Sequence, residues 1–440
     1  MPLCSPSPSD HRKTTVRLAI VGAALLLTLT ALSASPLAAQ TTREPAASLA
    51  AATPTPQPAR GDRGSPWLLA AAPPPAPAAR ASSDPGFICT PGRVSRQRES
   101  CLDRGPGITA YRIAHIVLPD PLPELSLVEL TPEPDEEVVP FTFAYVRTLP
   151  LSIYSHPMEA AMDLPPKRIL YSGDQWVSVD GEVPYEGATW YQINEGEFVP
   201  AESLAIASPS RFQGVYLNEQ PAYPFAWINR AVQPSRTPRG PANPDAPVYH
   251  RYQRVTIYAA EFLGSDELWY LVGEEQWVEQ STVSKVTVDP PPPEVGQDAW
   301  IEVDLFEQTL AAYEGSRMVY ATLISSGRSG STFTDSGLFR IWYKQRAGKM
   351  SNPDAEDGSP AWYYLEDVPW TMYFNGPTAL HSAYWHDAFG FTRSHGCVNL
   401  APRDAQWLFN WTAPHLPEGV DQLMATGTWV WVHNTSPFGE

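Results

Sequence analysis

Two short stretches near the end of the chain decide which fold and chemistry to expect: HSAYWHD at residues 381–387 and SHGCVNL at residues 394–400. They place three histidines beside one cysteine, Cys397. A thiol is a good nucleophile only as its thiolate, and a neighbouring imidazole can lower its pKa from about 8.5 by forming an ion pair. Gly396 permits an unusual backbone angle, so that the amides of Gly396 and Cys397 could hold a substrate oxyanion. The two stretches therefore predict a cysteine nucleophile assisted by a histidine.

Strand-like alternation of apolar and polar residues surrounds these stretches. It occurs in four segments, at residues 300–305, 308–314, 319–324 and 428–433. A helix is predicted for Pro402–Trp411, because proline suits the first helical position and Trp407, Leu408 and Trp411 would lie on one face. The pattern predicts a C-terminal domain, residues 298–434, that is mainly β with one short helix after the cysteine.

The C-terminal stretches resemble the L,D-transpeptidase catalytic domain (YkuD-like) family over about residues 298–433. SHGCVNL matches the family's cysteine signature, and MYFNG at residues 372–376 is similar to the strand that leads to its catalytic histidine. TDSGLFRI at residues 334–341 is similar to the family's Thr-Pro-x-Gly-x-Phe segment, with Asp335 in place of the proline. The resemblance implies a β-sandwich of the L,D-transpeptidase type.

The resemblance also implies which residues form the site. Cys397 would be the nucleophile, His381 its base, and Ser382 would help to orient that base. Three further residues would shape the cysteine loop: Ser394, His395 and Gly396.

Two features of the predicted site bear on the substrate. Asn399 stands where the family often has arginine, a difference that would alter how a substrate carboxylate is held. Ser382 stands where many members have glycine. Tyr384 and Trp385 would either cover the substrate as a lid or only pack against their neighbours.

The chemistry that the resemblance implies is acyl transfer on peptidoglycan stem peptides, without a cofactor. Cys397 would attack the peptide bond after the diamino acid, release the terminal D-alanine, and pass the acyl group to an amine of a second stem peptide. Two alternatives stay open: hydrolysis of the same thioester by an L,D-carboxypeptidase or endopeptidase, and a wall-binding protein that has lost catalysis. A metal site is disfavoured, since no second cysteine or close-spaced ligand pair completes it.

The middle of the chain contains a divergent repeat. WYQI at residues 190–193 and WYLV at residues 269–272 each lead through an acidic turn into a second short strand, which indicates a hairpin. The pattern resembles the small SH3-like β-barrels that accompany bacterial cell-wall enzymes. It predicts one module at residues 141–208 and a second at residues 209–288, or else one irregular β-domain. A proline-rich linker, residues 289–297, would join it to the C-terminal domain.

The N-terminus predicts export. Residues 1–39 begin with a positive flank, continue as a short apolar run and end in small residues, the order of a secretory signal peptide or of an uncleaved membrane anchor. Residues 40–85 are rich in alanine and proline and predict a disordered spacer. Export would place the protein in the cell wall, the periplasm or on the outer face of the cytoplasmic membrane.

Charge and cysteine content narrow the partners further. The chain of 440 residues has 30 Lys and Arg against 48 Asp and Glu, a net charge of −18, and such a chain repels nucleic acid. Residues 86–140 read as a linker in which an oxidising exterior would favour a Cys89–Cys101 bridge, leaving Cys397 unpaired.

Overall fold

The computed structural model describes part of the chain, and the fold is given for those residues: 5–6, 116, 118–123, 127–129, 137–171, 173–263, 267–328, 330–352, 355 and 362–436. All of them belong to one compact unit. Apart from Ser5–Pro6, the predicted signal segment lies outside the described residues, as do the spacer and the Cys89–Cys101 bridge. No helix in the described ranges is long and apolar enough to cross a membrane.

The first part of the described chain is built from short strands and one short helix. Its elements are β1 (Ser5–Pro6), β2 (Leu127–Glu129), β3 (Thr142–Val146), β4 (Leu151–Ile153), α1 (Pro157–Ala161), β5 (Arg168–Leu170), β6 (Asp174–Val179), β7 (Gly181–Tyr185), β8 (Ala188–Asn194), β9 (Glu197–Pro200) and β10 (Leu204–Ile206). The antiparallel sheet β7-β8-β9 contains the first predicted hairpin, which turns at Gly196 with a φ of 63°. Glycine is the residue that adopts this left-handed conformation without strain.

The next part repeats this arrangement with different strands. It contains β11 (Val215–Leu217), β12 (Phe225–Ile228), β13 (Arg254–Thr256), β14 (Ala259–Phe262), β15 (Leu268–Gly273), β16 (Gln276–Glu279) and β17 (Val283–Val286). The second predicted hairpin is β15–β16, and it lies in the antiparallel sheet β14-β15-β16. Whether these two parts are SH3-like barrels stays a prediction.

The C-terminal domain has the mainly-β fold expected from its alternating segments, and the fold class is confirmed. Its elements are β18 (Ala299–Asp304), β19 (Thr309–Glu314), β20 (Arg317–Ser325), β21 (Gly337–Arg340), β22 (Tyr343–Ser351), β23 (Tyr363–Asn375), β24 (Thr378–Ser382), β25 (Val398–Leu400), α2 (Pro402–Trp411), β26 (Gln422–Met424) and β27 (Trp429–His433). Paired strands run in the order β10-β3-β6-β23-β24-β25-β20-β19-β18-β27-β21.

Both faces of the C-terminal sheet are covered, which explains why its strands are so apolar. On one face Ile301 and Val303 of β18 pack in a core with Leu408 of α2. On the other face Trp300 packs with Phe225 and Trp227 of β12. Alternate residues of a strand point to opposite faces, and burying each large apolar side chain contributes about 1.5–3 kcal/mol. The second module is therefore part of the core of the C-terminal domain.

Helix α2 begins and ends where the sequence predicts, but its buried face is different. Ala405, Leu408 and Phe409 are buried, whereas Trp407 and Trp411 are only half-buried. Trp407 instead stacks on Tyr320 with ring centroids 4.0 Å apart. The two tryptophans therefore cover the flank of the core.

The predicted proline-rich linker is closely packed where it meets the C-terminal domain. A turn is closed by the Val295 N–H, which donates to the Pro292 carbonyl at 3.0 Å. Val295 is 3% exposed and lies in the same apolar cluster as Trp300. This end of the segment is thus held in place by its own side chain.

Strand β6 of the first module is hydrogen-bonded into the C-terminal sheet. It runs parallel to β23, with Asp174 opposite Tyr363 and Trp176 opposite Leu365. Phe143 of β3 also stacks on Tyr384, with ring centroids 3.5 Å apart and ring planes within 5°. The first module is therefore fixed against the edge of the sheet that leads to the predicted site.

Candidate active site

Neighbouring parallel strands bring Cys397 and His381 to one place. His381 is opposite Asn399 in the pairing of β24 with β25, and Cys397 comes directly before β25. Because strand side chains alternate between faces, Cys397 lies on the same face as Asn399 and hence as His381. Both residues line one cleft of about 590 Å³, a volume that includes space open to solvent. The structure therefore unites the two residues on which the predicted chemistry depends.

His381 is buried and held in a single tautomer. Its Nδ1 lies 2.9 Å from the main-chain carbonyl oxygen of Ser382, so Nδ1 carries the proton and Nε2 keeps its lone pair. Burial lowers the pKa of His381 to about 4, against the opposing effect of the Ser382 hydrogen bond. The ring is therefore neutral at pH 7. This differs from the standing imidazolium–thiolate pair expected from the sequence, and it fits a general base that takes the thiol proton during attack.

Ser382 orients His381 through its backbone. The carbonyl accepts the imidazole hydrogen bond, while the Ser382 hydroxyl is buried and has no hydrogen-bond partner within the described ranges. The predicted supporting role of Ser382 therefore depends on the main chain, and its side chain leaves an unsatisfied polar atom beside the site.

The loop before Cys397 is held by Ser394 and Gly396. Gly396 has a φ of 126°, which L-residues rarely adopt, as the sequence predicts for this glycine. The Ser394 hydroxyl accepts a hydrogen bond from the Gly396 N–H at 3.0 Å and donates one to the Cys397 carbonyl at 2.5 Å. Because the Gly396 amide is already bonded to Ser394, the oxyanion role predicted for that amide does not fit this structure.

Thr334 also fixes this loop, and sequence analysis missed that role. Its buried hydroxyl donates to the Gly396 carbonyl at 2.8 Å and accepts from the Gly327 N–H at 2.9 Å. Thr334 begins the TDSGLFRI segment that resembles the family, so the signal for its importance was present in the sequence.

His395 lies at the side of the cleft. Its ring stacks on Tyr363 with centroids 5.1 Å apart. Burial lowers the pKa of His395, and the positive charge of Arg328 lowers it further. His395 therefore favours the neutral form and forms part of the wall of the cleft.

Asn399 pairs with a third histidine, His386. The His386 Nδ1 accepts a hydrogen bond from the Ala388 N–H at 3.1 Å, and burial lowers the pKa of His386 to about 3. A neutral ring that accepts at Nδ1 carries its proton on Nε2, and the Asn399 side-chain amide lies 3.0 Å from that atom. Only an oxygen can accept this proton, so we orient Asn399 with Oδ1 toward His386, which places Nδ2 at the buried amide position that has no hydrogen-bond partner in the described ranges.

Tyr384 and Trp385 differ sharply in their surroundings. Tyr384 is 1% exposed, stacks on Phe143 and donates its hydroxyl to the Glu366 carbonyl at 2.8 Å. A substrate-lid role therefore does not fit Tyr384, because its ring is locked in the core. Trp385 is half-buried and lines the cleft, with its ring centroid 5.7 Å from that of His381. The lid role of Trp385 stays a prediction.

The sulfur of Cys397 is oxidised in this structure. Cys397 is disulfide-bonded, and the other three cysteines of the chain lie outside the described residues. The expectation that Cys397 is unpaired therefore does not hold here. Nucleophilic attack requires the reduced thiol.

Three charged residues of the cleft were not predicted from the sequence: Asp174, Arg328 and Arg393. The two arginines are positioned by their backbones, because the Arg328 N–H donates to the Ser394 carbonyl at 3.2 Å and the Arg393 N–H to the Ser326 carbonyl at 2.9 Å. Asp174 comes from β6 of the first module. No local motif marks it, since only the β6–β23 pairing brings it to the site.

A mainly-β domain with a cysteine and a buried histidine in one cleft defines a class of enzyme domain suited to acyl transfer. Residues 298–432 match the model of the L,D-transpeptidase catalytic domain family, YkuD. Residues 298–432 therefore form an L,D-transpeptidase catalytic domain, as their motifs indicated, and this match supports a transpeptidase related to peptidoglycan.

Solved structures with similarity to this chain include several L,D-transpeptidases. The one from Mycobacterium smegmatis is 19% identical, covers 39% of this chain and 69% of its own, and has a TM-score of 0.27. The one from Xylanimonas cellulosilytica is 23% identical over 33% of this chain and 65% of its own, with a TM-score of 0.24. The catalytic domain from E. faecium is 26% identical over 31% of this chain and 98% of its own, with a TM-score of 0.25. No curated protein matches the chain.

Proposed function

We propose that this protein is an exported cysteine L,D-transpeptidase that forms peptidoglycan cross-links through a thioester on Cys397. One observation supports this above all others: a neutral, buried imidazole with a free Nε2 lone pair shares a cleft with that cysteine. The family of the C-terminal domain supplies the class of substrate, peptidoglycan stem peptides.

In the first half-reaction the reduced Cys397 thiol gives its proton to Nε2 of His381. The sulfur attacks the carbonyl carbon of the peptide bond that follows the diamino acid of a tetrapeptide stem. The C–N bond then breaks, and the leaving D-alanine nitrogen takes the proton back from His381. The Ser382 carbonyl stabilises the transient imidazolium, because it accepts from Nδ1 throughout.

In the second half-reaction a neutral amine of another stem peptide attacks the thioester carbonyl. A C–N bond forms, the C–S bond breaks, and the amine proton passes through His381 to the sulfur. The enzyme is thereby regenerated and the two stems are joined. Water in place of the amine would give a shortened stem and a carboxypeptidase.

The cleft offers charged and neutral groups that could bind the carboxylates of the substrate. Arg328 and Arg393 supply positive charge in the cleft, whereas Asn399 contributes only a neutral amide. An amide holds a carboxylate less tightly than the bidentate guanidinium that the family often has at this position. We expect the two arginines to provide much of the carboxylate binding that Asn399 does not.

The experiment that tests this function is intact-mass analysis of reduced protein with a tetrapeptide, with and without an acceptor amine. We expect an acyl adduct on Cys397, and a cross-linked product when the acceptor is present. Cys397→Ala should form neither. His381→Asn should slow acylation by roughly 10²–10⁴-fold, the usual contribution of a general base. His415→Asn makes the same chemical change at an exposed histidine and should leave the rate intact.

Each failure of this experiment points to a different alternative. Only a shortened peptide, even with saturating acceptor, would identify a hydrolase. An adduct that persists in Cys397→Ala would remove the cysteine from the mechanism. Wall binding without any adduct on reduced protein would leave a binding protein.

A further inference from the structure

The first module contributes a carboxylate to the catalytic cleft. Asp174 is the first residue of β6, and its side chain lines the same cleft as Cys397 and His381. The residue is exposed at the mouth of the cleft. One carboxylate oxygen, Oδ1, accepts a hydrogen bond from the Trp176 indole at 3.1 Å. The orientation of the carboxylate is therefore set by a side chain of its own strand.

The backbone around Asp174 is held tightly against the C-terminal domain. Gly173 has a φ of 92°, and a Cβ atom there would lie 2.1 Å from the Trp362 ring. Only glycine avoids both the strain and the clash. The Asp174 N–H also donates to the Trp362 carbonyl at 3.4 Å, and the β6–β23 pairing continues from there. Asp174 is thus fixed with respect to the catalytic residues.

The charges around Asp174 decide which ligand group it suits. Arg328 and Arg393 line the cleft as well, so the site offers both signs of charge. The residue released in the first half-reaction ends in a carboxylate, which the arginines attract and Asp174 repels. The second substrate must bring an amine, which at neutral pH is mostly an ammonium ion. An ammonium ion is the group that a carboxylate at the mouth would attract.

We infer that Asp174 is a specificity-determining residue that binds the ammonium group of the acyl acceptor at the mouth of the cleft. This inference rests on the proposed function, because it assigns Asp174 to the second half-reaction. The acceptor binds as the ammonium ion and loses a proton to solvent at the open mouth before it attacks. Asp174 thereby favours transfer to an amine over hydrolysis and takes no part in the chemistry of the first half-reaction.

The test compares Asp174→Asn with the wild type in the reduced, full-length protein. Asparagine keeps an oxygen for the Trp176 indole, so the fold is retained while the charge is lost. We expect the KM for a lysine-type amine acceptor to rise roughly fivefold, the effect of about 1 kcal/mol at an exposed ion pair. The rate of acyl-enzyme formation from the tetrapeptide should not fall, because Asp174 repels the donor's terminal carboxylate and does not hold it. Higher ionic strength should raise the wild-type KM toward the value of the variant.

Two controls separate this effect from general ones. Asp163→Asn removes the same charge from an exposed residue of the same module outside the cleft, and it should not change the acceptor KM. Hydroxylamine is uncharged at neutral pH, so its reaction with the acyl-enzyme should be equal in the wild type and in Asp174→Asn.

The outcomes distinguish this inference from the proposed function. An unchanged acceptor KM in Asp174→Asn, with normal acylation, would overturn the role of Asp174 and leave the transpeptidase intact. An equal loss with hydroxylamine would also overturn it, since charge would not be the cause. Absence of any acyl-enzyme in the wild type would contradict the proposed function itself.

Discussion

In the proposed mechanism, the reactivity of the site depends on how deeply the His381 imidazole is buried. His381 is 2% exposed, and burial lowers its pKa to about 4. A histidine of ordinary pKa would be partly protonated at pH 6.5, whereas this one stays neutral and available as a base. Burial therefore widens the pH range over which His381 can accept a proton, at the cost of weaker basicity.

The pH dependence of acylation follows from the state of His381. The rate of acyl-enzyme formation should stay level as the pH falls from about 7 to 5 and should decline only near pH 4, where the ring gains a proton. Brief pH-jump assays on reduced protein measure this rate before unfolding interferes. A decline centred near pH 6.5 would contradict it and indicate an imidazole of ordinary basicity.

At the scale of elements, a buried carboxyl lies at the junction of two strands from different modules. Glu366 of β23 accepts the Ser178 N–H of β6 at 3.1 Å and the Tyr364 hydroxyl at 2.9 Å. Burial raises the pKa of Glu366 to about 7, despite the Tyr364 and Ser178 hydrogen bonds that lower it. This junction holds the strand on which Asp174 lies.

Because the pKa of Glu366 is raised, the free energy of unfolding should fall as the pH rises. The folded state holds the Glu366 proton more tightly than the unfolded chain does. The protonated carboxyl therefore makes its full contribution to the free energy of unfolding below about pH 4.5, and this contribution is lost as the pH rises through about 7. Glu366→Gln cannot ionise and should gain on the order of 2 kcal/mol relative to the wild type between about pH 5 and pH 8. Urea unfolding at both pH values measures this difference.

A matched control is Glu182→Gln, which makes the same change at an exposed residue of the first module. That variant should follow the wild type at both pH values. A constant difference between Glu366→Gln and the wild type across this range would mean that Glu366 is already ionised in the folded state.

At the scale of the whole molecule, the described modules share their apolar cores and polar contacts with the C-terminal domain. Trp300 packs on residues of β12, and Tyr384 packs on Phe143 of β3. The buried carboxylate of Asp404 in α2 accepts the Gly214 N–H at 2.8 Å, as well as the Tyr320 and Thr322 hydroxyls. A protein divided at the proline-rich segment would expose these groups.

We therefore expect a fragment of residues 298–436 to be less stable than one of residues 116–440. Loss of the two modules exposes the Trp300 and Tyr384 rings and leaves the Asp404 carboxylate without one of its donors. Each exposed ring costs about 1.5–3 kcal/mol of apolar burial. Thermal unfolding of both fragments should show a clearly lower midpoint for the shorter one. Equal midpoints would show that the C-terminal domain is stable on its own.

The sequence by itself determined the local features of this protein. The β18 alternation, the helix Pro402–Trp411 and both middle hairpins were predictable, because each depends on residues a few positions apart. The proximity of Cys397 and His381 was equally predictable, since both belong to motifs in one short segment, with His381 on β24 and Cys397 directly before the neighbouring β25. The residue type also showed that Gly396 could adopt an unusual backbone angle, and the structure has it at a φ of 126°.

Only the tertiary structure decided the features that depend on burial and on distant contacts. Asp174 reaches the cleft through the pairing of β6 with β23, which no local pattern encodes. The neutral state of His381 depends on its burial in the folded protein, and the locked ring of Tyr384 depends on Phe143 of the first module. Short-range propensity decides which elements form, whereas desolvation and long-range pairing decide what their side chains can do.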